Sequence, residues 1–292
     1  MPNLKEVRIR IASVNSTQQI TKAMKMVSAA KLRRAQNAIQ QLRPYANKLR
    51  DILENLSSSL ESSDGGQFAT VRPVEKVLIV AISSNRGLAG AFNANVIRSV
   101  NRMLGDTYRE QAKAGNVKVL CIGKKGSDFF SKNSNIYLGH HNNLYSDLTF
   151  VNTSAIAEGI MKDFTAGKYD RVVLVYNQFK NAAVQILMNE QLLPIQPPTS
   201  TSIKKKNDYI FEPSKQEIVL ELIPKSIKTQ LYKAVLDSHA SEHGARMTAM
   251  NKATDNAGEL LKGLRLSYNK ARQAAITNEI LEIVAGAEAL NG

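Results

Sequence analysis

A chain of 292 residues with 43% hydrophobic content is long enough for one or two domains with a sizeable core. Its single cysteine excludes an intrachain disulfide and fits a reducing compartment. The formal charge of +14 is uneven: Met1 to Arg50 holds eleven Lys/Arg against one acid, Glu6. A segment this cationic points to an acidic partner, and charge alone does not choose among nucleic acid, anionic lipid and an acidic protein surface.

The opening Met1-Pro2-Asn3-Leu4-Lys5-Glu6 lacks the apolar core of a signal peptide. The longest apolar run, Val77 to Ile82, is far short of the roughly 20 residues that a membrane helix needs. The chain therefore reads as soluble, with any membrane association supplied by a partner.

From Asn3 to Leu60 the pattern is helical. Leu32, Ala35, Ile39, Leu42, Ala46, Leu49, Leu53, Leu56 and Leu60 alternate spacings of three and four, the signature of a coiled-coil seam. Leu4, Val7, Ile11 and Val14 have the same spacing, with a break in register expected near Gln18 to Ile20. Pro44 removes a helical hydrogen bond, but the seam continues in phase beyond it, so a kink in a continuing helix is expected. Such a helix would be about 85 Å long.

Ser62-Ser63-Asp64-Gly65-Gly66-Gln67 reads as a linker. After it come strands at Val77–Ile82, Val117–Ile122, Asn135–Gly139, Arg171–Phe179 and Val184–Leu192, with helices from about Ala91 to Leu104 and Ser154 to Thr165. Strands alternating with helices indicate a mainly parallel sheet. Pro194 to Asn207 reads as a projecting loop, and helical patterning returns from Pro213 to about Gly286, a helix of about 75 residues or 110 Å. Within it Ala245, Ala249, Ala253 and Ala257 form a small-residue ridge, while Gly244, Gly258 and Gly263 would each cost about 1 kcal/mol unless packing holds them. The N-terminal seam is the expected packing partner. The fold class is thus α/β: a long antiparallel coiled coil of the N- and C-terminal helices with an inserted Rossmann-like domain. The expected boundaries are 1–61 for the first helix, 74–193 for the α/β domain, 194–212 for the loop and 213–292 for the second helix.

Two short motifs resemble catalytic signatures. Ser83-Ser84-Asn85-Arg86-Gly87-Leu88-Ala89-Gly90 sits where a dinucleotide fingerprint would, but it has neither G-x-G-x-x-G nor a G-K-[ST] ending, so a tight strand-to-helix turn is the reading. His239-Ala240-Ser241-Glu242-His243 spells H-x-x-E-H, yet no third zinc ligand is evident, and a solvated helix face carrying two histidines is the reading. Cys121 lies in an apolar run and reads as a buried strand thiol. No catalytic residue, cofactor site or metal site is expected.

Two blocks carry a family resemblance. One runs from Ile11-Ala12-Ser13-Val14-Asn15 through Lys22-Ala23-Met24-Lys25-Met26-Val27. The other runs from Ala245-Arg246-Met247-Thr248 through Tyr268-Asn269-Lys270-Ala271-Arg272-Gln273 to Ile276-Thr277-Asn278-Glu279 and Gly286-Ala287-Glu288-Ala289. Together they resemble the gamma subunits of F-type ATP synthases, closely over both helices and loosely over the α/β domain. The resemblance implies a central rotor shaft, standing on a c ring, meeting the epsilon subunit and turning inside a head of alpha and beta subunits. It implies contacts at Met24 and Lys25 with an acidic beta-subunit lever, at Arg272 and Gln273 with a beta-subunit catch loop, and at Tyr209 near the c ring. The family-like start favours a bacterial protein on the cytoplasmic face of the plasma membrane. Two rival readings, a nucleic-acid-binding coiled coil and an α/β enzyme, predict a steep salt dependence of duplex binding and stoichiometric nucleotide binding respectively. With Tyr45 the only aromatic in the first fifty residues, base stacking has little to build on.

Overall fold

A computed structural model describes residues 4–57, 67–68, 70–195 and 215–291. It divides into two compact units, Met1–Ser28 with Met247–Gly292, and Ala29–Arg246. Two helices contribute to both: α1, Leu4–Ser57, of 54 residues, and α6, Lys215–Asn291, of 77 residues.

The larger unit is built on five strands, β1 (Val77–Ile82), β2 (Val117–Ile122), β3 (Tyr137–His140), β4 (Arg171–Phe179) and β5 (Gln185–Leu193), in the order β3-β2-β1-β4-β5. All neighbours are parallel except β4 and β5, an antiparallel pair joined by a short turn. β1 is buried at all six positions, as a central strand covered on both faces must be. Leu78, Val80 and Ile82 point to one face, where α5 (Phe150–Thr165) and the α6 residues Ile227, Leu231 and Val235 close the core. Val77, Ile79 and Ala81 point to the other, against Val96 and Val100 of α2 (Phe92–Arg102) and Phe130 of α4 (Lys124–Phe130). Cys121 lies in that second layer, and burial pushes its thiol up to about 12, so it stays protonated and inert. Between α2 and the short α3 (Arg109–Lys113) the chain makes a π-helical turn, Met103–Thr107.

The expected break in register near Gln18 does not occur. Val7, Ile11, Val14, Gln18, Thr21, Lys25, Ser28, Leu32, Ala35, Ile39, Leu42, Ala46 and Leu49 are all buried or half-buried, in unbroken alternation of four and three. The seam continues through four polar residues, and counting apolar residues alone loses it there. Ile20, which would start a new register, is 60% exposed. Pro44 is accommodated inside the continuous helix, as is Pro224 in α6. Leu53, Leu56 and Leu60 lie outside the residues whose side chains are described.

The alanine ridge is likewise displaced by a period of three and a half. In the smaller unit the α6 seam consists of Met250, Thr254, Ala257, Leu261, Leu264, Tyr268 and Ala271, so Ala257 is buried while Ala253 is only half-buried. The glycines also separate. Gly258 lies against Gln18 of α1, as a close helix pair requires, whereas Gly244 meets the backbone of Ala182 in the β4–β5 turn and Gly263 faces open space. The seam expected to hold all three holds one.

Candidate coupling surfaces

In the smaller unit the two helices run antiparallel. Partners on α6 fall as positions on α1 rise: Arg8 Nη2 donates to Tyr268 Oη at 2.9 Å, Gln18 Nε2 to the Thr254 carbonyl at 3.4 Å, and Lys25 Nζ to Asn251 Oδ1. Thr254 Oγ1 also donates to Thr21 Oγ1 at 2.8 Å. Polar seam residues paired across two helices fix register at some cost in stability. Arg8 caps the arrangement by lying over the Tyr268 ring, and its hydrogen bond holds the Tyr268 phenol below its usual range.

Part of the surface of this unit, above all the last turns of α6, exposes large apolar side chains. Ile9, Met26 and Val27 on α1 and Leu266, Ile276, Ile280, Leu281, Ile283 and Val284 on α6 are exposed, Ile283 to 71%. Only Glu279, Glu282 and Glu288 carry charge beyond Gln273. An exposed apolar run of this length marks a surface that works against another protein.

The anticipated contact residues are placed as follows. Met24 is half-buried at the edge of the α1 seam, and Lys25 is half-buried with its ammonium turned to Asn251. Arg272 and Gln273 are exposed on adjacent positions of α6, and Arg272 helps lower the Tyr268 phenol. These four lie in the smaller unit. Tyr209 lies outside the described residues.

In the larger unit the carboxyl end of the sheet shows what became of the two enzyme-like motifs. The strand order reverses between β1 and β4, where doubly wound sheets have their ligand crevice. There the loop after β1 presents acceptors. Arg246 of α6 donates Nη2 to the Arg86 carbonyl at 3.0 Å and both Nε and Nη2 to the Gly87 carbonyl at 3.2 Å. A phosphate cradle needs the opposite polarity, backbone N–H groups aimed inward. Three amides nearby are taken up locally: Ser84 N–H donates to Asn93 Oδ1, Gly126 N–H to Ser83 Oγ and Lys124 N–H to Asn85 Oδ1.

Arg246 also pairs with Glu242 at 2.7 Å, both side chains being 8% exposed, and with His243 Nδ1 at 3.3 Å. Burial raises the Glu242 carboxyl while Arg246 pulls it back. A guanidinium can only donate, so His243 Nδ1 accepts and its proton sits on Nε2. That N–H faces His239 Nε2 at 3.1 Å, and His239 stacks on Tyr145, whose hydroxyl donates to the Ser83 carbonyl. The H-x-x-E-H face expected to lie in solvent is buried instead, with Glu242 and His243 closed off and the motif spent on a directional chain from Arg246 to Tyr145. Burial, reinforced by the neighbouring positive charges of Arg246 and Lys31, pulls His239 down to about 4 and His243 to about 3. Among the described residues no group of three His, Cys, Asp or Glu is placed to hold a metal. Arg246 itself, sitting beside an alanine ridge in sequence, gave no sign of its buried role.

A family model described as ATP synthase matches residues 3–290. The ATP synthase gamma chain of Flavobacterium johnsoniae is 61% identical over 293 residues, covering 100% of both chains. That of Christiangramia forsetii is 60% identical over 292 residues, again with 100% of both covered. That of Chlorobaculum parvum is 46% identical over 290 residues, with 99% of each covered. Among solved structures, a chain of the Tetrahymena thermophila mitochondrial ATP synthase central stalk and c ring is 26% identical with a TM-score of 0.60, covering 80% of this chain and 99% of that one. A chain of the Euglena gracilis mitochondrial ATP synthase rotor shares the fold, with a TM-score of 0.67 at 22% identity, covering 94% of this chain and 98% of that one.

Proposed function

Because the chain belongs to the ATP synthase gamma chain family, we propose that it is the central rotor shaft of an F-type ATP synthase. It couples ion flow through the c ring to ATP synthesis and hydrolysis in the alpha and beta subunits of the head, and contributes no catalytic residue of its own. The observation that carries this reading is the antiparallel α1–α6 pair, locked in register by Arg8–Tyr268 and Thr21–Thr254, which ends in an exposed, nearly uncharged apolar surface. An apolar surface on a rigid pair suits rotation inside a protein collar: its contacts are non-directional, so no single orientation is held by strong polar bonds.

Met24 and Lys25 meet the acidic lever of a beta subunit, through an attraction that salt weakens. Lys25 keeps two of its three N–H donors for this while the third holds Asn251. Arg272 and Gln273 reach a beta-subunit catch loop from their exposed positions. Tyr209 makes its contact with the c ring. Among the described residues no helix is long and apolar enough to cross a membrane, in keeping with a peripheral subunit held on the cytoplasmic face of a bacterial plasma membrane by the c ring.

Affinity capture of the tagged chain from detergent-solubilised native membranes tests the assignment. Alpha, beta, epsilon and c subunits should be recovered together with it. Recovery of the chain with none of the ATPase head contradicts it.

A further inference from the structure

A carboxyl group lies in the larger unit outside everything described so far. Asp237 of α6 is buried among α1, β4, β5 and α6, its side chain 1% exposed, and neither carboxylate oxygen has a well-formed hydrogen bond. A buried charge left in that condition is costly. Among the described residues its ion-pair partner is Arg43 of α1, whose Nη2 stands 3.9 Å from Asp237 Oδ1 and 3.4 Å from the Phe179 carbonyl at the end of β4. The two partners differ in freedom. Arg43 is 47% exposed and can turn its guanidinium into water, whereas Asp237 has no such route. Beside Arg43, Pro44 removes one rung of the α1 hydrogen-bond ladder.

We propose that Arg43 and Asp237 form a proton-operated catch between α1 and the α6–sheet core, closed while the Asp237 carboxyl is ionised and open once it takes up a proton from solvent. The groups around Asp237 set its operating range. Burial is the largest influence and pushes the carboxyl up to about 6; Lys233 one turn back on α6, Arg43 on α1 and the backbone of Phe179 on β4 oppose it, and Glu190 on β5 reinforces it. Glu190 is itself held by Tyr176 Oη, which donates to Oε2 at 2.6 Å, and by Gln230 Nε2, which donates to Oε1 at 2.9 Å. Glu190 is therefore fixed as a neighbouring acceptor, and Arg43 is the cation that reaches Asp237 from another element, whereas Lys233 shares its helix and cannot tie α1 to it. In the closed state the guanidinium spans the carboxylate and the Phe179 carbonyl and draws α1 toward the end of β4. In the open state the neutral carboxyl exerts no pull, and Arg43 returns to solvent. The catch does not rest on the rotor assignment and can be read in the purified full-length chain.

The test follows the Arg43 Nε–Hε resonance by NMR, in arginine-labelled full-length chain, between pH 5 and 8. The resonance should titrate with a midpoint near 6; in Asp237→Asn it should hold the open-state position at every pH. A second, independent reading uses Arg43→Gln, where the Asp237 carboxyl carbon should titrate at least half a pH unit higher than in the wild type, because an opposing positive charge is gone. An Arg43 signal that stays still across the range, or that moves equally in Asp237→Asn, overturns the catch. So does a carboxyl midpoint unchanged by Arg43→Gln, which decides the matter even if Asp237→Asn folds poorly.

Discussion

Arg246 and Gly87, 159 positions apart in sequence, are joined by two hydrogen bonds of 3.2 Å from one guanidinium to one carbonyl oxygen. The side chain that fills the mouth of the α/β sheet thus comes from the same helix that supplies the seam of the smaller unit. Replacing it by alanine strands Glu242 without its cation and leaves the Arg86 and Gly87 carbonyls unpaired. Breaking a buried pair from one side costs about 3–5 kcal/mol. Arg246→Ala should therefore lower the thermal midpoint of the purified chain by many degrees, while Arg246→Lys, which keeps the charge but loses the planar fork, should fall between. Differential scanning calorimetry reads both. Equal midpoints for wild type and Arg246→Ala would show that the pair contributes nothing.

The glycines of α6 give a contrast within a single helix. A methyl group at Gly244 would lie 3.2 Å from the Ala182 carbonyl oxygen and 3.3 Å from its Cα, both backbone atoms that cannot swing aside. Gly244→Ala should destabilise by about 1–3 kcal/mol, the usual cost of overpacking. Gly263 has nothing within 4 Å of that position, and Gly263→Ala should stabilise by about 0.5–1 kcal/mol through helix propensity. Urea midpoints followed by circular dichroism should move in opposite directions; a common direction would contradict the packing described.

The His239–His243 pair makes stability depend on acid. Both imidazoles are held below the value they have in an unfolded chain, so between about pH 6.5 and 4 the unfolded state binds more protons than the native one. Their contribution is complete above that window and is lost as pH falls through it. Asp237 acts in the opposite sense: its raised value means that the native state takes up the proton first as pH falls through about 6. Denaturant titrations of the purified chain from pH 7 to 4.5 should show a net loss of stability, flatter in His243→Gln and steeper in Asp237→Asn. An acid loss unaltered by His243→Gln would remove the histidines from the account.

Contact residues on α6 should separate coupling from folding. Arg272 is exposed, so Arg272→Ala should leave the thermal midpoint of the purified chain within a degree or two and slow ATP turnover by the assembled complex. Deletion of all residues after Ala275 should weaken assembly or coupling and leave the α/β unit folded by circular dichroism. Unchanged turnover with Arg272→Ala would take that residue out of the coupling surface.

The sequence showed the strands because β1 and β4 are covered on both faces and so read as unbroken apolar runs. It showed the two long helices because their ends carry regular apolar spacing. It concealed whatever depended on polar side chains. The α1 seam seemed to break where Gln18, Thr21, Lys25 and Ser28 occupy it, because their burial is made tolerable by partners such as Thr254 and Asn251 on the other helix. The short α4 escaped because of its seven residues only Gly126, Ser127 and Phe130 are buried, too few to set a period. The roles of Arg246 and Asp237 depend on loops and strands far away in sequence, such as Gly87 for Arg246 and Phe179 for Asp237, and no local pattern reports them.

Rotation itself is the most direct test. The chain is reconstituted with its alpha and beta subunits, and a probe is attached at Lys132→Cys, an exposed position of the α/β unit, with the buried Cys121 left unlabelled. With ATP, single complexes should turn the probe stepwise and persistently in one direction. ATP hydrolysis by the same complexes with a probe that only fluctuates, without net direction, would contradict the shaft assignment.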